Sequence, residues 1–88
     1  MIIGKVVGSV VSTRKNERLI GSKFMIVEPV PARPGFPNPV IAADSIGAGV
    51  GEYVLVVFGG AARLGTDMEN APIDAAIVGI LDDPEDFR

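Results

Sequence analysis

The stretch "DSIGAGVGEYVLVVFGG", residues 44–60, places three alternating glycines directly before a run of apolar side chains. Residues 52–58 are predicted to form a β-strand, because the run is rich in β-branched residues and is followed by a pair of glycines. Side chains alternate in a strand, so one side carries Tyr53, Leu55 and Val57. The other side carries Val54, Val56 and Phe58. The strand is therefore apolar on both sides.

Four further segments have the composition or alternation of strands, and they cover residues 2–13, 19–28, 40–46 and 73–81. In the first of them a single face is predicted to carry Ile2, Gly4, Val6, Gly8 and Val10. Glycine inside a strand marks a bend or a close approach of another backbone. We therefore expect such a feature at Gly4 and Gly8.

The segments between these strands are predicted to be connections. Residues 29–39 contain five of the seven prolines in the chain and are interpreted as a stiff surface loop, in preference to a ligand for a proline-reading domain. Residues 59–72 form a second connection, and residues 82–88 form an acidic C-terminal tail. The 88 residues are predicted to be one domain.

Five strands with glycine at their corners and no amphipathic helix predict an all-β fold, a small five-stranded OB-like β-barrel. Each barrel strand turns one side toward the core and the other outward. Three apolar side chains of residues 52–58 would then lie outside, and leaving them in water would forfeit about 1.5–3 kcal/mol for each. Such a contiguous apolar patch is typical of an interface. We therefore expect the outer wall of this barrel to pack against another subunit.

The composition argues against several classes of function. The chain has no histidine and no cysteine, which removes the commonest general base and the commonest transition-metal ligands. Its net charge of −3 argues against nucleic-acid binding. No stretch has the length of a membrane span or the pattern of a secretory signal. We therefore predict a cytoplasmic protein that is not an enzyme, with no cofactor, no metal, no nucleic acid and no membrane partner.

The glycine run "GAGVGE", residues 47–52, is superficially similar to a dinucleotide-binding motif. That motif needs glycine where Glu52 stands, and it needs a helix after the glycines, whereas a strand is predicted here. The preferred interpretation is a tight turn in which glycine permits a positive φ and a close approach of chains.

Three segments in order, "MIIGKVVGSVVSTRKNERLIGSKFMIVEP", "DSIGAGVGEYVLVVFGGAAR" and "PIDAAIVGILD", resemble the EutN/CcmL family of bacterial microcompartment vertex proteins. The resemblance implies an OB-like barrel that assembles as a cyclic homopentamer. It further implies a structural role, in which the pentamer caps the fivefold vertices of a carboxysome or metabolosome shell within the cytoplasm and meets hexameric shell proteins. The alternative is a monomeric OB-fold binding module for nucleic acid or oligosaccharide.

We expect a set of contact residues, both from the resemblance and from the apolar outer side of the strand. The three glycines before the strand lack a Cβ, which would let chains approach closely at a subunit seam or near the fivefold axis. The outer side of the strand of residues 52–58 would meet a neighbour. The position of Arg63 in "AAR" implies a contact between subunits. The expected interface or axis residues are Gly47, Gly49, Gly51, Tyr53, Leu55, Val57 and Arg63.

Overall fold

Five β-strands close into a barrel in the computed structural model, which describes residues 1–10, 23–32, 35, 38–59 and 74–82. The strands are β1 (Ile2–Val10), β2 (Lys23–Pro29), β3 (Val40–Asp44), β4 (Tyr53–Phe58) and β5 (Ala75–Leu81). Their order around the barrel is β1-β2-β3-β5-β4, and β4 pairs again with β1. The pairs are antiparallel except for β3 with β5. The predicted all-β class and five-stranded OB-like barrel are confirmed.

The strand bounds differ from the prediction at several ends. β3 stops at Asp44 rather than at residue 46, because Asp44 begins a hydrogen-bonded turn. Pro29 was expected in the proline-rich loop, yet it is the last residue of β2 and pairs with Gly4. The backbone N–H of Val30 donates to the carbonyl of Ile3 at 2.9 Å, so the pairing continues past the proline. Residues 11–22, which contain the predicted ends of the first two strands, lie outside the described residues.

A bulge in β1 changes which side chains face the core. Val6 pairs with Val27 and Gly8 pairs with Ile26, so Val7 is an extra residue without its own partner on β2. An extra residue reverses the alternation beyond it. Val10 is accordingly 37% exposed, and the prediction that Gly8 and Val10 share one face with Ile2, Gly4 and Val6 is wrong.

The core lies inside the barrel and is built from the inner sides of all five strands. Its largest fully buried side chains are Met25, Ile77, Val6, Val27, Val54 and Val56. Phe58 packs against this cluster, which confirms the predicted inner side of β4. The close approach predicted at Gly4 is also confirmed, because a Cβ there would collide with Cγ1 of Val27 and lie 3.0 Å from the carbonyl oxygen of Glu28.

Candidate subunit interface

The outer side of β4 is only partly available to a neighbour. Tyr53 and Leu55 are half-buried, whereas Val57 is 9% exposed. Val57 pairs with Ala76, which is fully buried, so this end of the wall is already covered within the single chain. The expectation that three apolar side chains of β4 lie exposed on the outside is therefore wrong for Val57.

The remaining outer side of β4 belongs to a wider apolar surface, which we call the β4 face. Strand pairing places Leu55 between Ile3 of β1 and Gly79 of β5. Cδ1 of Leu55 lies 3.4 Å from the position that a Cβ of Gly79 would take, so this leucine lies over the glycine. The β4 face comprises Ile3, Tyr53, Leu55, Gly79 and Leu81.

Lys5 borders the β4 face. It pairs with Tyr53 on β4 and with Glu28 on β2. The Nζ of Lys5 lies 5.8 Å from the centre of the Tyr53 ring, within the range of a cation–π contact. The edge of the β4 face is therefore charged, while its centre is apolar.

A second outer surface is also apolar, and we call it the β2 face. Ile26 of β2 lies between Ile41 of β3 and Gly8 of β1, and its Cδ1 is 3.5 Å from the position of a Gly8 Cβ. Phe24 and Val10 form the neighbouring pair. Ile41 is 45% exposed. The β2 face comprises Gly8, Val10, Phe24, Ile26 and Ile41; it was not predicted from the sequence.

The glycine-rich connection between β3 and β4, residues 45–52, closes one end of the barrel. These two strands are not neighbours, so the connection crosses the barrel end. Ala48 is fully buried and belongs to the core cluster. The N–H of Gly51 donates to the carbonyl of Val6 at 2.8 Å, and the N–H of Val6 donates to the carbonyl of Glu52 at 2.9 Å. The glycine loop is thus packed at its centre and bonded to β1.

A buried carboxylate organises this loop from the β3 side. Oδ1 of Asp44 accepts a hydrogen bond from the N–H of Ile46 at 3.0 Å, and Oδ2 accepts one from the N–H of Ala48 at 2.8 Å. The Nζ of Lys23 lies 3.6 Å from Oδ2 of Asp44 and donates to the carbonyl of Ala48 at 3.0 Å. A buried charge is costly unless it is paired and hydrogen-bonded, and both conditions are met here.

A second carboxylate binds the loop from the β4 side. Oε1 of Glu52 accepts the N–H of Gly49 at 2.6 Å, and the backbone N–H of Glu52 donates to the carbonyl of Gly49 at 3.1 Å. Asp44 stands at a strand end, yet it is buried and paired within its own chain rather than solvated.

The three glycines of the loop do not share one structural role. Gly47 and Gly51 have φ values of +86° and +93°, which confirms the predicted turn at these two positions. Within the described residues, no atom lies within 4 Å of the position that an added Cβ would take at either glycine. Their positive φ values, and not crowding, therefore require glycine. Gly49 has no positive φ, and a Cβ there would lie 3.3 Å from Oε1 of Glu52. A strand follows the loop, which excludes the dinucleotide-binding interpretation.

Within the described ranges, no three Asp or Glu side chains form a group that could bind a metal ion. The same part of the chain contains no helix with the length and hydrophobicity to cross a membrane.

Arg63 lies outside the described residues. Of the predicted interface residues, the structure thus brings Tyr53 and Leu55 together on a side wall and the three glycines together at the barrel end.

Comparison with known proteins gives a consistent result. The family model described as "Ethanolamine utilisation protein EutN/carboxysome" matches residues 1–82. The bacterial microcompartment shell vertex protein GrpN of Rhodospirillum rubrum is 45% identical over 97% of both chains. The carboxysome shell vertex protein CcmL of Gloeobacter violaceus is 41% identical over 93% of this chain and 83% of its own.

Among solved structures, the GrpN pentameric microcompartment shell protein from Rhodospirillum rubrum superposes with a TM-score of 0.78 at 42% identity. The superposition covers 94% of this chain and 95% of that one.

Proposed function

The chain belongs to the EutN/CcmL family, and we propose that its copies assemble into a cyclic pentamer that caps a fivefold vertex of a bacterial microcompartment shell. The observation that carries this proposal is the match to a shell vertex protein along 97% of both chains. The pentameric state of the structural relative supports the number of copies. On this account the protein is a structural component of the shell, located there within the cytoplasm, and not an enzyme.

The surface of the barrel supports assembly as well. The β4 face is an apolar surface with a charged edge, and interfaces between proteins commonly have such an apolar centre and polar rim. A heterologous contact that closes after a fixed number of copies generates a ring. The alternative of a monomeric OB-fold module for nucleic acid or oligosaccharide is not favoured, because the matched relatives are shell vertex proteins.

We further propose partners and contact residues. A pentamer at a vertex would meet the hexameric shell proteins that form the facets. Gly47, Gly49 and Gly51 would lie at a subunit seam or near the fivefold axis, and Tyr53 and Leu55 would contact a neighbour. Arg63 would contribute a contact between subunits. Val57 is buried within its own chain, so it would support the surface of Tyr53 and Leu55 without contacting a neighbour itself.

The test of the vertex role is assembly with facet proteins. Shells are produced from hexameric shell proteins with and without this chain, and their corners are compared by electron cryomicroscopy with symmetry averaging. We expect fivefold density the size of a pentamer at the vertices only when the chain is present. Closed vertices without the chain, or a chain that never joins the shells, would contradict the role.

A further inference from the structure

The described exterior of the barrel carries two apolar faces, on different walls. The β4 face uses the first half of β1 together with β4 and β5, and the β2 face uses the second half of β1 together with β2 and β3. Along β1, Lys5 lies between them, and it pairs with Glu28 on β2. The two faces are therefore separate surfaces with charged side chains between them.

The two faces have a similar construction. Each is centred on a row of three residues, one from each of three neighbouring strands. In each row the middle residue is a large aliphatic side chain that lies over a glycine, Leu55 over Gly79 and Ile26 over Gly8. Neither row contains a charged residue, so packing one face on another would bury no unpaired charge at its centre.

A ring of more than two identical subunits needs two different surfaces on every subunit, because each copy contacts one neighbour with one surface and the other neighbour with the second. A single apolar face could form only a twofold pair with itself. A pentamer in which the β4 face makes one contact, as proposed above, therefore requires a second and different contact surface on every subunit. The β2 face is the other described apolar surface formed by paired strands, and Ile41 within it is 45% exposed.

We propose that the β2 face of each subunit packs against the β4 face of the next copy around the ring. This inference rests on the proposed function, since it assigns the two halves of the contact that closes the pentamer. The occupant of the β2 face is then a second copy of this chain, and both faces are buried in the assembled vertex.

The experiment uses one charged substitution on each face. Leu55→Asp alters the β4 face, and Ile41→Asp alters the β2 face. Ala32→Asp is the matched control, because Ala32 is exposed and belongs to neither face. Masses are measured by native mass spectrometry at one protein concentration, and circular dichroism checks that each variant is folded. If Leu55→Asp does not fold, Tyr53→Lys replaces it.

We expect the wild type and Ala32→Asp to be pentamers and each face variant to be a monomer. An equimolar mixture of the two face variants should give a heterodimer, because one intact β4 face and one intact β2 face remain to be paired. A pentamer from either face variant, or a homodimer of either variant, would overturn the pairing of the faces while leaving the pentamer intact. A wild type that forms no pentamer would instead overturn the proposed function.

Discussion

The ammonium group of Lys23 lies 3.6 Å from the buried Oδ2 of Asp44 and joins the first residue of β2 to the last residue of β3. These two residues also pair directly across the strands. Both contact Ala48 in the glycine loop. The Nζ of Lys23 donates to the carbonyl of Ala48, and Oδ2 of Asp44 accepts from the N–H of Ala48. The loop that closes the barrel end is therefore positioned by a charged pair that sits on the barrel wall.

Removing the carboxylate should destabilise the protein. Asp44→Ala deletes two hydrogen bonds to backbone N–H groups and leaves the N–H of Ala48 buried without a partner, a loss of about 3 kcal/mol in the free energy of unfolding. Urea denaturation at a fixed protein concentration measures this loss, since assembly affects apparent stability. Asp82→Ala is the control, because Asp82 is exposed, and it should lie within about 0.5 kcal/mol of wild type. An Asp44→Ala variant as stable as the control would refute the organising role.

Removing the ammonium group should cost less than removing the carboxylate. The Lys23 side chain is 52% exposed, so water screens its interaction with Asp44, and we expect Lys23→Met to lose about 0.5–1 kcal/mol. Because both residues contact Ala48, the double variant should lose less than the two single losses added together. A double-mutant cycle in urea measures this coupling. Strict additivity would mean that the pair does not act as a unit.

Two glycines of β1 should respond differently to alanine. A Cβ at Gly4 would collide with Val27 and crowd the backbone of Glu28, so Gly4→Ala should lose about 2–3 kcal/mol through overpacking. A Cβ at Gly8 would make an ordinary contact with Ile26 within the chain, so Gly8→Ala should lose under about 1 kcal/mol. Because Gly8 lies in the β2 face, both glycine variants are made in the Ile41→Asp background, which is expected to be monomeric. Thermal and urea unfolding compare the two variants. Equal losses at both positions would argue against the tight approach of β1 and β2 at Gly4.

The glycine loop should show the same kind of contrast. Alanine at Gly51 would have to adopt a φ of +93°, so Gly51→Ala should lose about 1–2 kcal/mol. Gly49 lacks a positive φ, and a Cβ there would meet Oε1 of Glu52, which can shift by lengthening its hydrogen bond to the N–H of Gly49. Gly49→Ala should therefore lose under about 1 kcal/mol. The two variants are compared by urea denaturation. A larger loss at Gly49 than at Gly51 would show that crowding, and not backbone conformation, limits this loop.

The barrel could be predicted because its determinants are local in the sequence. Alternation in residues 2–6 and 53–58 indicated the inner side of β1 and β4, and glycine in a strand indicated the close approach at Gly4. The bulge at Val7 could not be predicted in this way, because it depends on the register between β1 and β2. That one extra residue turned Val10 outward, so the β2 face did not appear in the sequence pattern.

The candidate site was predicted only in part, for a similar reason. Tyr53 and Leu55 follow from the alternation of β4, and the turn at Gly47 and Gly51 follows from glycine itself. An aspartate at the end of an apolar strand and before a glycine turn is a signal for side-chain bonds to the following N–H groups, and it could have identified Asp44. Lys23 has no such signal, because the fold alone brings it beside Asp44.

The most direct test of the account is the mass of the wild-type protein in solution by sedimentation velocity and native mass spectrometry. We expect one species of about 46 kDa, five times the 9.2 kDa mass of the chain, because the structural relative is a pentamer. Tyr53, on the β4 face, should also be protected from chemical labelling in the assembled protein. A monodisperse monomer with Tyr53 and Leu55 in contact with water would contradict it.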